Sequence, residues 1–338
     1  MTDLPFVSVI IPFRNEEKFI GKCLDSVLAS DYPVEKTEIL LVDGMSTDHS
    51  RAIIGQFTKR FNHIFILDNP KRIFPAAVNT GVKKSRGKLI LILGAHAIYH
   101  PSYIRKCVAG SLEHDAENVG GVLVTTGLHG GIIGRSVNLV LSSSFGVGNA
   151  TFRTGAKTVT ETDTVFGGCY KKEVFEKIGF LDERLVSSSD IEFNKRLKRS
   201  GGKILLLPEI VVNYYTRNTF SSFIRNNFRN GFWAIYPIAF TKHIPVSLRH
   251  FVPLLFLLSI LGCFLGGIFL PFFLWFLLAE LLIYFLGAIV ASISSAHHDL
   301  PCLLTMPLLF LFLHLVYGTG SLVAVLKIPF VKKPSVDL

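Results

Sequence analysis

The sequence predicts an α/β domain, a mostly parallel sheet with flanking helices, followed by C-terminal transmembrane helices. Three observations carry this. Short β-type apolar runs alternate with segments of helical period from Phe6 to Leu93, the pattern of parallel strands joined by crossovers. Polar clusters follow the first, second and fourth of those runs, at the strand ends where sheets of this kind bind ligands. From Phe251 to Ala296 the only formally charged residue is Glu280, a stretch longer than one membrane span of about 20 residues.

Taken in order, Phe6–Ile11 reads as a buried strand stopped by Pro12. Asn15 is placed to cap the next helix, with Glu16 and Glu17 in its first turn. Phe19, Ile20, Cys23, Leu24, Val27 and Leu28 then recur at helical spacing. Glu38–Val42 is a second strand, Ser50–Phe61 a helix, His63–Leu67 a third strand, Ala76–Ser85 a helix and Lys88–Leu93 a fourth strand. Residues 120–160, rich in Gly, Ser and Thr, fit further sheet and long loops. Thr164–Tyr170 leads into a helix at Lys172–Ile178. Ser189–Arg199 is a helix closed by Gly201-Gly202, and Ile204–Leu207 a short strand ended by Pro208. Phe220–Phe240 mixes aromatic and basic residues just before the apolar region, the composition of a helix lying in a membrane interface or of an amphipathic helix covering the domain. Three spans fit the rest: about 250–268, 271–293 and 302–325, with Gly266, Gly267 and Pro271 offering the first turn. With the soluble part in the cytoplasm, three spans put Lys327, Lys332 and Lys333 outside, against the positive-inside tendency, unless one segment re-enters. Glu280 is either functional, at a span edge, or paired with a neighbour.

Composition narrows the partners. A net charge of +10 sits mainly before the apolar region, which suits anionic lipid head groups or a substrate carrying pyrophosphate. No basic helix or aromatic-basic array of a nucleic-acid module is present, so nucleic acid is not expected. Five cysteines without a C-x-x-C pair read neither as a zinc site nor as a disulfide framework, and imply a reducing compartment for the soluble part. No basic region precedes the short run Phe6–Pro12, so no signal peptide is expected.

Four groups of residues carry a resemblance: Pro12-Phe13-Arg14-Asn15-Glu16, Val42-Asp43-Gly44-Met45-Ser46-Thr47-Asp48, Gly167-Gly168, and Ser189-Asp190-Ile191-Glu192-Phe193-Asn194 with Arg196-Leu197. In this order the chain, over roughly residues 6–240, resembles family 2 glycosyltransferases of the GT-A fold, in particular membrane-bound bacterial enzymes of exopolysaccharides such as succinoglycan. The resemblance implies that Pro12, Arg14 and Glu16 line the base and ribose of a UDP-sugar and that Asp43 accepts the uracil N–H. A carboxylate at a strand end suits that imide proton; alternatively Asp43 and Asp48 cap a turn and a helix. Lys71 and Arg72 precede Ala76-Ala77-Val78-Asn79-Thr80-Gly81, which resembles the family's A-x-N-x-G stretch, and either reach the diphosphate or remain solvated. Asp190 matches the family's general base, the group that takes the acceptor hydroxyl proton in inversion; an N-cap is its plainer role. Gly168, with Gly167, lets backbone approach the sugar. Arg229 is a candidate acceptor or phosphate contact.

One family feature is missing. Gly94-Ala95-His96 stands where the D-x-D metal motif is expected, so a hard cation loses its carboxylates. His96 then ligates a softer ion such as Mn2+, hydrogen-bonds the diphosphate without metal, or is structural. A divalent cation, Mn2+ or Mg2+, is the cofactor in question. The resemblance partitions the chain into a GT-A catalytic domain over 1–215, an amphipathic membrane-interface segment over 216–249, about three transmembrane helices over 250–328 and a tail over 329–338. It implies a multi-pass protein of the cell membrane with its catalytic domain in the cytoplasm. That enzyme moves a sugar from a UDP-sugar to a polyprenyl-linked acceptor beside membrane lipid. Transfer to polyprenyl phosphate itself, or a non-catalytic nucleotide-sugar-binding subunit, are the alternatives.

Overall fold

The computed structural model describes residues 4–127, 131–216, 219–241, 244, 246–296 and 299–331. Its strands are β1 Val7–Phe13, β2 Thr37–Asp43, β3 Ile64–Asp68, β4 Leu89–Ile92, β5 Ala97–Tyr99, β6 Asn118–Gly127, β7 Thr160–Glu161, β8 Phe166–Lys171 and β9 Ile204–Thr216. Its helices are α1 Ile20–Leu28, α2 Ser50–Thr58, α3 Phe74–Lys84, α4 Tyr103–Glu113, α5 Ile132–Ser142, α6 Ser144–Val147, α7 Thr151–Thr154, α8 Glu173–Ile178, α9 Ser189–Arg199, α10 Phe220–Ile235, α11 Val252–Phe269, α12 Phe272–Ala296 and α13 Leu300–Lys327. Contacts divide the chain into two compact units. One comprises residues 1–125 and 155–215, the other 126–154 and 216–338.

In the first unit the strands form one mixed sheet of order β3-β2-β1-β4-β8-β6-β9-β5, with β7 pairing β9. The four strands that alternate with helices are mutually parallel: β1 pairs β2 and β4, and β2 pairs β3. β8 then runs antiparallel to β4 and begins the second half. Val7, Val9, Ile10 and Ile11 are sealed, as are Ile39 and Leu41; near-continuous apolar strands are those covered on both faces. At the other end of β2 from Asp43, buried Glu38 is fully answered. It accepts the Ser8 hydroxyl at 2.6 Å, the Arg86 backbone N–H at 2.7 Å and the Arg86 guanidinium at 2.9 Å. That network ties β1, β2 and the turn before β4 together.

Several sequence expectations change here. Asn15 does not cap α1, and Glu16 and Glu17 are not in its first turn. Asn15 sits at φ 56° in a loop, and the Glu16 carbonyl accepts the N–H groups of Phe19 and Ile20 instead. Pro208 does not end β9, which continues to Thr216. The strand pairs β7 at Leu205 and Leu206 and β5 from Val212 to Tyr214, so Pro208, which has no N–H, falls between the two partners. Residues 120–160 are not all sheet and loop: α5, α6 and α7 lie between residues 132 and 154 and belong to the helical unit.

That second unit is helical. Val137 and Val140 of α5, Phe223 of α10, Ala288 and Ala296 of α12, and Met306, Leu309, Phe310 and Leu313 of α13 form its core. Glycine brings α10 and α13 into backbone contact: a Cβ on Gly231 would strike the Tyr317 carbonyl, and one on Gly320 the Phe228 carbonyl. The Ser321 hydroxyl donates to the Gly231 carbonyl at 3.0 Å. Gly266 and Gly267 do not make the first turn. They lie within α11, where their missing side chains admit Phe273 and Leu274 of α12, and the chain reverses at Leu270-Pro271. Glu280 pairs with a neighbour, accepting the Ser259 hydroxyl from α11. Three helical stretches, Leu248–Phe269, Phe272–Ala296 and Leu300–Phe330, are long and apolar enough to cross a membrane. Lys332, Lys333 and the rest of the tail from 332 onward lie outside the described residues.

Candidate active site

The loops after β1 and β2 meet because those strands are neighbours. They are laced in both directions: the Asn15 and Glu16 N–H groups donate to the Ser46 and Ser50 hydroxyls at 3.0 and 2.8 Å. The Glu17 N–H donates to Asp48 at 3.0 Å, while the Thr47 and His49 N–H groups donate back to Asn15 and Glu17 at 2.8 and 3.1 Å. Asp48 also accepts the Ser50 N–H at the start of α2, the capping role weighed for it. Its hydrogen bonds outweigh desolvation and hold its carboxyl below the usual range.

Asp43 ends β2 fully buried. One oxygen accepts the Ser46 N–H at 2.9 Å and hydroxyl at 2.6 Å; the other takes Arg51 at 2.7 Å. Through these bonds Asp43 organises the turn that follows β2. Arg51 reaches on to Asp68 at 2.6 Å, and Asp68, level with Asp43 in register at the end of β3, is 58% exposed. Neither Arg51 nor Asp68 stood out in the sequence, since each looks like a solvated charge until the strands are paired. Pro12 is part of β1, and Arg14 is exposed beside Gly44. Lys71 is engaged by Glu183 at 2.5 Å, and Asn79 of α3 donates to Glu183 at 3.0 Å and holds Leu181 through both its amide groups. The ammonium of Lys71, then the Asn79 amide, keep the Glu183 carboxyl below its usual range. Arg72, at φ 59°, is exposed, and neither it nor Arg14 has an acidic partner among the described residues.

β4 lies beside β1, so the loop after β4 brings His96 to Glu16. His96 Nε2 is 2.6 Å from the hydroxyl of Tyr214 on β9. Its Nδ1 is buried, makes no hydrogen bond, and lies 3.4 Å from Glu16 Oε1. The preceding turn is fixed by the buried Tyr99, whose hydroxyl accepts the Gly94 N–H at 2.7 Å and donates to the Gly94 carbonyl at 3.1 Å. A side chain at Gly94 would start 3.2 Å from the Phe166 ring, so the first carboxylate of a D-x-D motif has little room. Among the described residues no group of three or more His, Cys, Asp and Glu is placed to hold a metal ion.

α9 carries two carboxylates in contrasting states. Glu192 is buried and forked by Arg196 at 2.7 and 3.0 Å; Arg196 also donates to the Ile178 and Phe180 carbonyls. Asp190 is accessible at its side chain and has no cationic partner among the described residues, yet protein surrounds it densely. Desolvation pushes its carboxyl above the usual range, against the lowering pull of the Ile191 N–H and its own. One turn on, Asn194 is sealed, held by Tyr170, Asn118 and Thr164 at 2.9, 3.3 and 3.0 Å, which anchors the helix. Gly167 has φ +63°, a conformation suited to glycine, and a Cβ on Gly168 would strike the Asn118 side chain. Both glycines are thus required by the fold's own packing. Arg229 is exposed on α10 in the helical unit and has no acidic partner among the described residues. Cys23 and Cys107 are buried, which pushes their thiols up to about 12 and leaves them protonated.

A mixed sheet with flanking helices, and loops converging beyond the carboxyl ends of its parallel strands, is a GT-A architecture, and the protein is a glycosyltransferase. It belongs to glycosyl transferase family 2, whose model matches residues 8–179. It is similar to a dolichyl N-acetyl-alpha-D-glucosaminyl phosphate 3-beta-D-2,3-diacetamido-2,3-dideoxy-beta-D-glucuronosyltransferase of Methanococcus voltae. The two are 32% identical over 237 residues, 67% of this chain and 72% of that one. It is also 27% identical to the succinoglycan biosynthesis protein ExoA of Rhizobium meliloti, over 62% of this chain and 63% of that protein. In fold it matches the mannosyltransferase PcManGT of Pyrobaculum calidifontis, solved with GDP-Man and Mn2+. The TM-score is 0.59 at 19% identity, covering 98% of this chain and 89% of that one.

Proposed function

We propose that the protein transfers a sugar, with inversion, from a UDP-sugar to a hydroxyl of a polyprenyl-linked glycan, Asp190 acting as general base. The observation that carries this is the contrast on α9: Glu192 is locked to Arg196, whereas Asp190 is accessible and has no cationic partner among the described residues. A desolvated carboxylate is a stronger base than an ordinary one, and a base is most effective when its pKa approaches the working pH. Asp190 takes the acceptor hydroxyl proton as that oxygen attacks the anomeric carbon. The bond to the diphosphate breaks and UDP departs carrying the electron pair.

The laced loops after β1 and β2 hold the nucleoside. Pro12 and Arg14 line it, and Asp43 shapes the turn from beneath, with Asp68 and Arg51 at the accessible edge. Arg14 and Arg72, both exposed and without an acidic partner among the described residues, offer charge to the diphosphate, and Gly168 borders the sugar. A divalent ion, if held at Glu16 and His96, would neutralise charge on the departing diphosphate. The name of the Methanococcus relative contains a dolichyl-linked sugar acceptor, and that of ExoA a polysaccharide; both favour a lipid-linked substrate. The apolar helices suit a multi-pass anchor with the α/β unit in the cytoplasm, and exposed Arg229 suits a phosphate of the acceptor or of membrane lipid. The test is consumption of a panel of UDP- and GDP-sugars by membranes containing the protein, with and without polyprenyl-linked acceptor. The expected result is acceptor-dependent release of UDP from one sugar nucleotide. Release of GDP instead overturns the donor, and equal hydrolysis without acceptor overturns the lipid-linked substrate.

A further inference from the structure

We propose that Glu183 is a positioning residue for the base: with Asn79 and Lys71 it ties the loop leading into α9 to the turn after β3, and so fixes where Asp190 stands relative to the donor. This rests on the reading of Asp190 as general base.

Residues 179–188 join α8 to α9 and end immediately before the turn that carries Asp190. This loop is held from several sides. From α9, Arg196 donates to the carbonyls of Ile178 and Phe180 at 2.5 and 2.8 Å. From α3, Asn79 Nδ2 donates to the Leu181 carbonyl at 2.9 Å, and the Leu181 N–H donates to Asn79 Oδ1 at 3.0 Å. Leu181 and Leu185 are buried, so their side chains anchor the loop as well. Glu183 adds a further tie: it accepts Asn79 Nδ2 at 3.0 Å and pairs with Lys71 at 2.5 Å. At the far end Ser188 has φ 61°. A residue other than glycine adopts that left-handed conformation at a cost, and keeps it where its surroundings over-determine it.

Lys71 is itself carried by a stitched turn. Buried Asn69 donates its N–H to the Asp43 carbonyl at 2.8 Å and its Nδ2 to the Ile73 carbonyl at 2.9 Å, and its own carbonyl accepts the Arg72 N–H at 3.1 Å. Bonds therefore run without a break from Asp43, beside the nucleoside loops, through the Asn69 turn and Lys71 to Glu183. The donor loops sit on β1, β2 and β3, whereas α9 lies between β8 and β9, in the other half of the sheet. Glu183 crosses from one half to the other. A displacement of about 1 Å between reacting groups can cost about 100-fold in rate, so a tie between these halves bears on chemistry more than on binding. Lys71 is 67% exposed and solvent screens its part; the buried Asn79 amide supplies the firmer grip.

The experiment measures kcat and the donor KM of the full-length protein in detergent, with UDP retention as the check of folding. Glu183→Ala and Asn79→Ala should each lower kcat about 10–100-fold while the donor KM and UDP retention stay near wild type. Glu183→Gln keeps the oxygen that Asn79 grips and loses only the charge on Lys71, so it should recover most of the rate, falling about 2–5-fold, as should Lys71→Met. The double variant Lys71→Met/Glu183→Gln should be no slower than the slower single, since both remove one interaction. If Glu183→Ala and Asn79→Ala fail to retain UDP, the two milder variants and their double decide: additive losses overturn the clamp. So does wild-type kcat in Glu183→Ala, and so does a raised donor KM in Lys71→Met that Glu183→Gln does not share, which would put Lys71 on the diphosphate instead. Asp190→Asn is run beside them. Wild-type turnover in that variant overturns the base and the clamp with it; loss of turnover there, with wild-type kcat in Glu183→Ala, overturns the clamp alone.

Discussion

The α/β unit and the helical unit deal with polar and apolar groups in opposite ways. In the first, charge is carried into the interior and answered there. Glu38, Asp43 and Glu192 are all buried and each is matched by an arginine and further hydrogen bonds. In the second, apolar side chains cover the outside: Phe269 is 83% exposed and Trp275 71%. Its polar groups pair locally, Ser259 with Glu280, Tyr284 with His314, and His250 with Tyr317. Such an exterior is unstable in water and natural in hydrocarbon, where helices associate through close packing and short polar contacts. One region is organised by what it hides, the other by the solvent it faces.

The comparison can be broken most severely at the site of chemistry. Asp190→Asn should cut transfer about 10²–10⁴-fold, the usual worth of a general base, while UDP retention stays at the wild-type level. Wild-type turnover in this variant would remove the proposed mechanism. Next in size is the polar interior. Arg196→Met leaves Glu192 buried without its partner and should cost about 3–5 kcal/mol, read from denaturant unfolding of the α/β unit's signal. A loss near zero would show that Glu192 finds another partner or takes up a proton.

The matching change in the helical unit is steric. Gly231→Val pushes a side chain into the Tyr317 carbonyl and should cost about 1–3 kcal/mol, read as a lower thermal midpoint in detergent. Unchanged stability would mean that α10 and α13 do not approach as closely as described.

Acidity sharpens the contrast on α9. Because the Asp190 carboxyl is raised, the acid limb of the pH–rate profile should lie above the ordinary aspartate value of 3.8. The sign for stability follows. The folded state holds this proton more tightly than the unfolded chain, so ionised Asp190 lowers stability as pH rises through its folded pKa. Asp190→Asn should therefore be slightly more stable than wild type at neutral pH. An acid limb at or below 3.8 would contradict the desolvation. The smallest effect belongs to the surface: Asp115 pairs with Lys171 while 87% exposed, and Asp115→Ala should leave the thermal midpoint almost unchanged, since solvent screens such a pair.

Much of the fold was legible because it is local. The short apolar runs and the helical periodicity up to Leu93 correspond to β1–β4 and their helices, and the apolar run after Phe251 to the long helices, because burial imposes these patterns on neighbours in sequence. The α9 motif marked Asp190, but its sequence does not say that Arg196 silences Glu192. Residues 120–160 read as sheet and long loops because the apolar partners of α5 lie far along the chain, in α10, α12 and α13. Asp43 was legible as a strand-end carboxylate, but not its bridge through Arg51 to Asp68, which depends on the pairing of β2 with β3. Pro208 looked like a strand end because the change of partner on β9 is not written locally. His96 looked like the remnant of a lost motif. The adjacency of β1 and β4 sets Glu16 before it, and the pairing of β5 with β9 sets Tyr214 behind it. By itself the sequence determined the periodicities, the apolar spans and the order of the family's motifs. Tertiary structure decided which charges are spent inside the protein and which are left for a ligand, because that depends on residues distant in sequence meeting across the sheet.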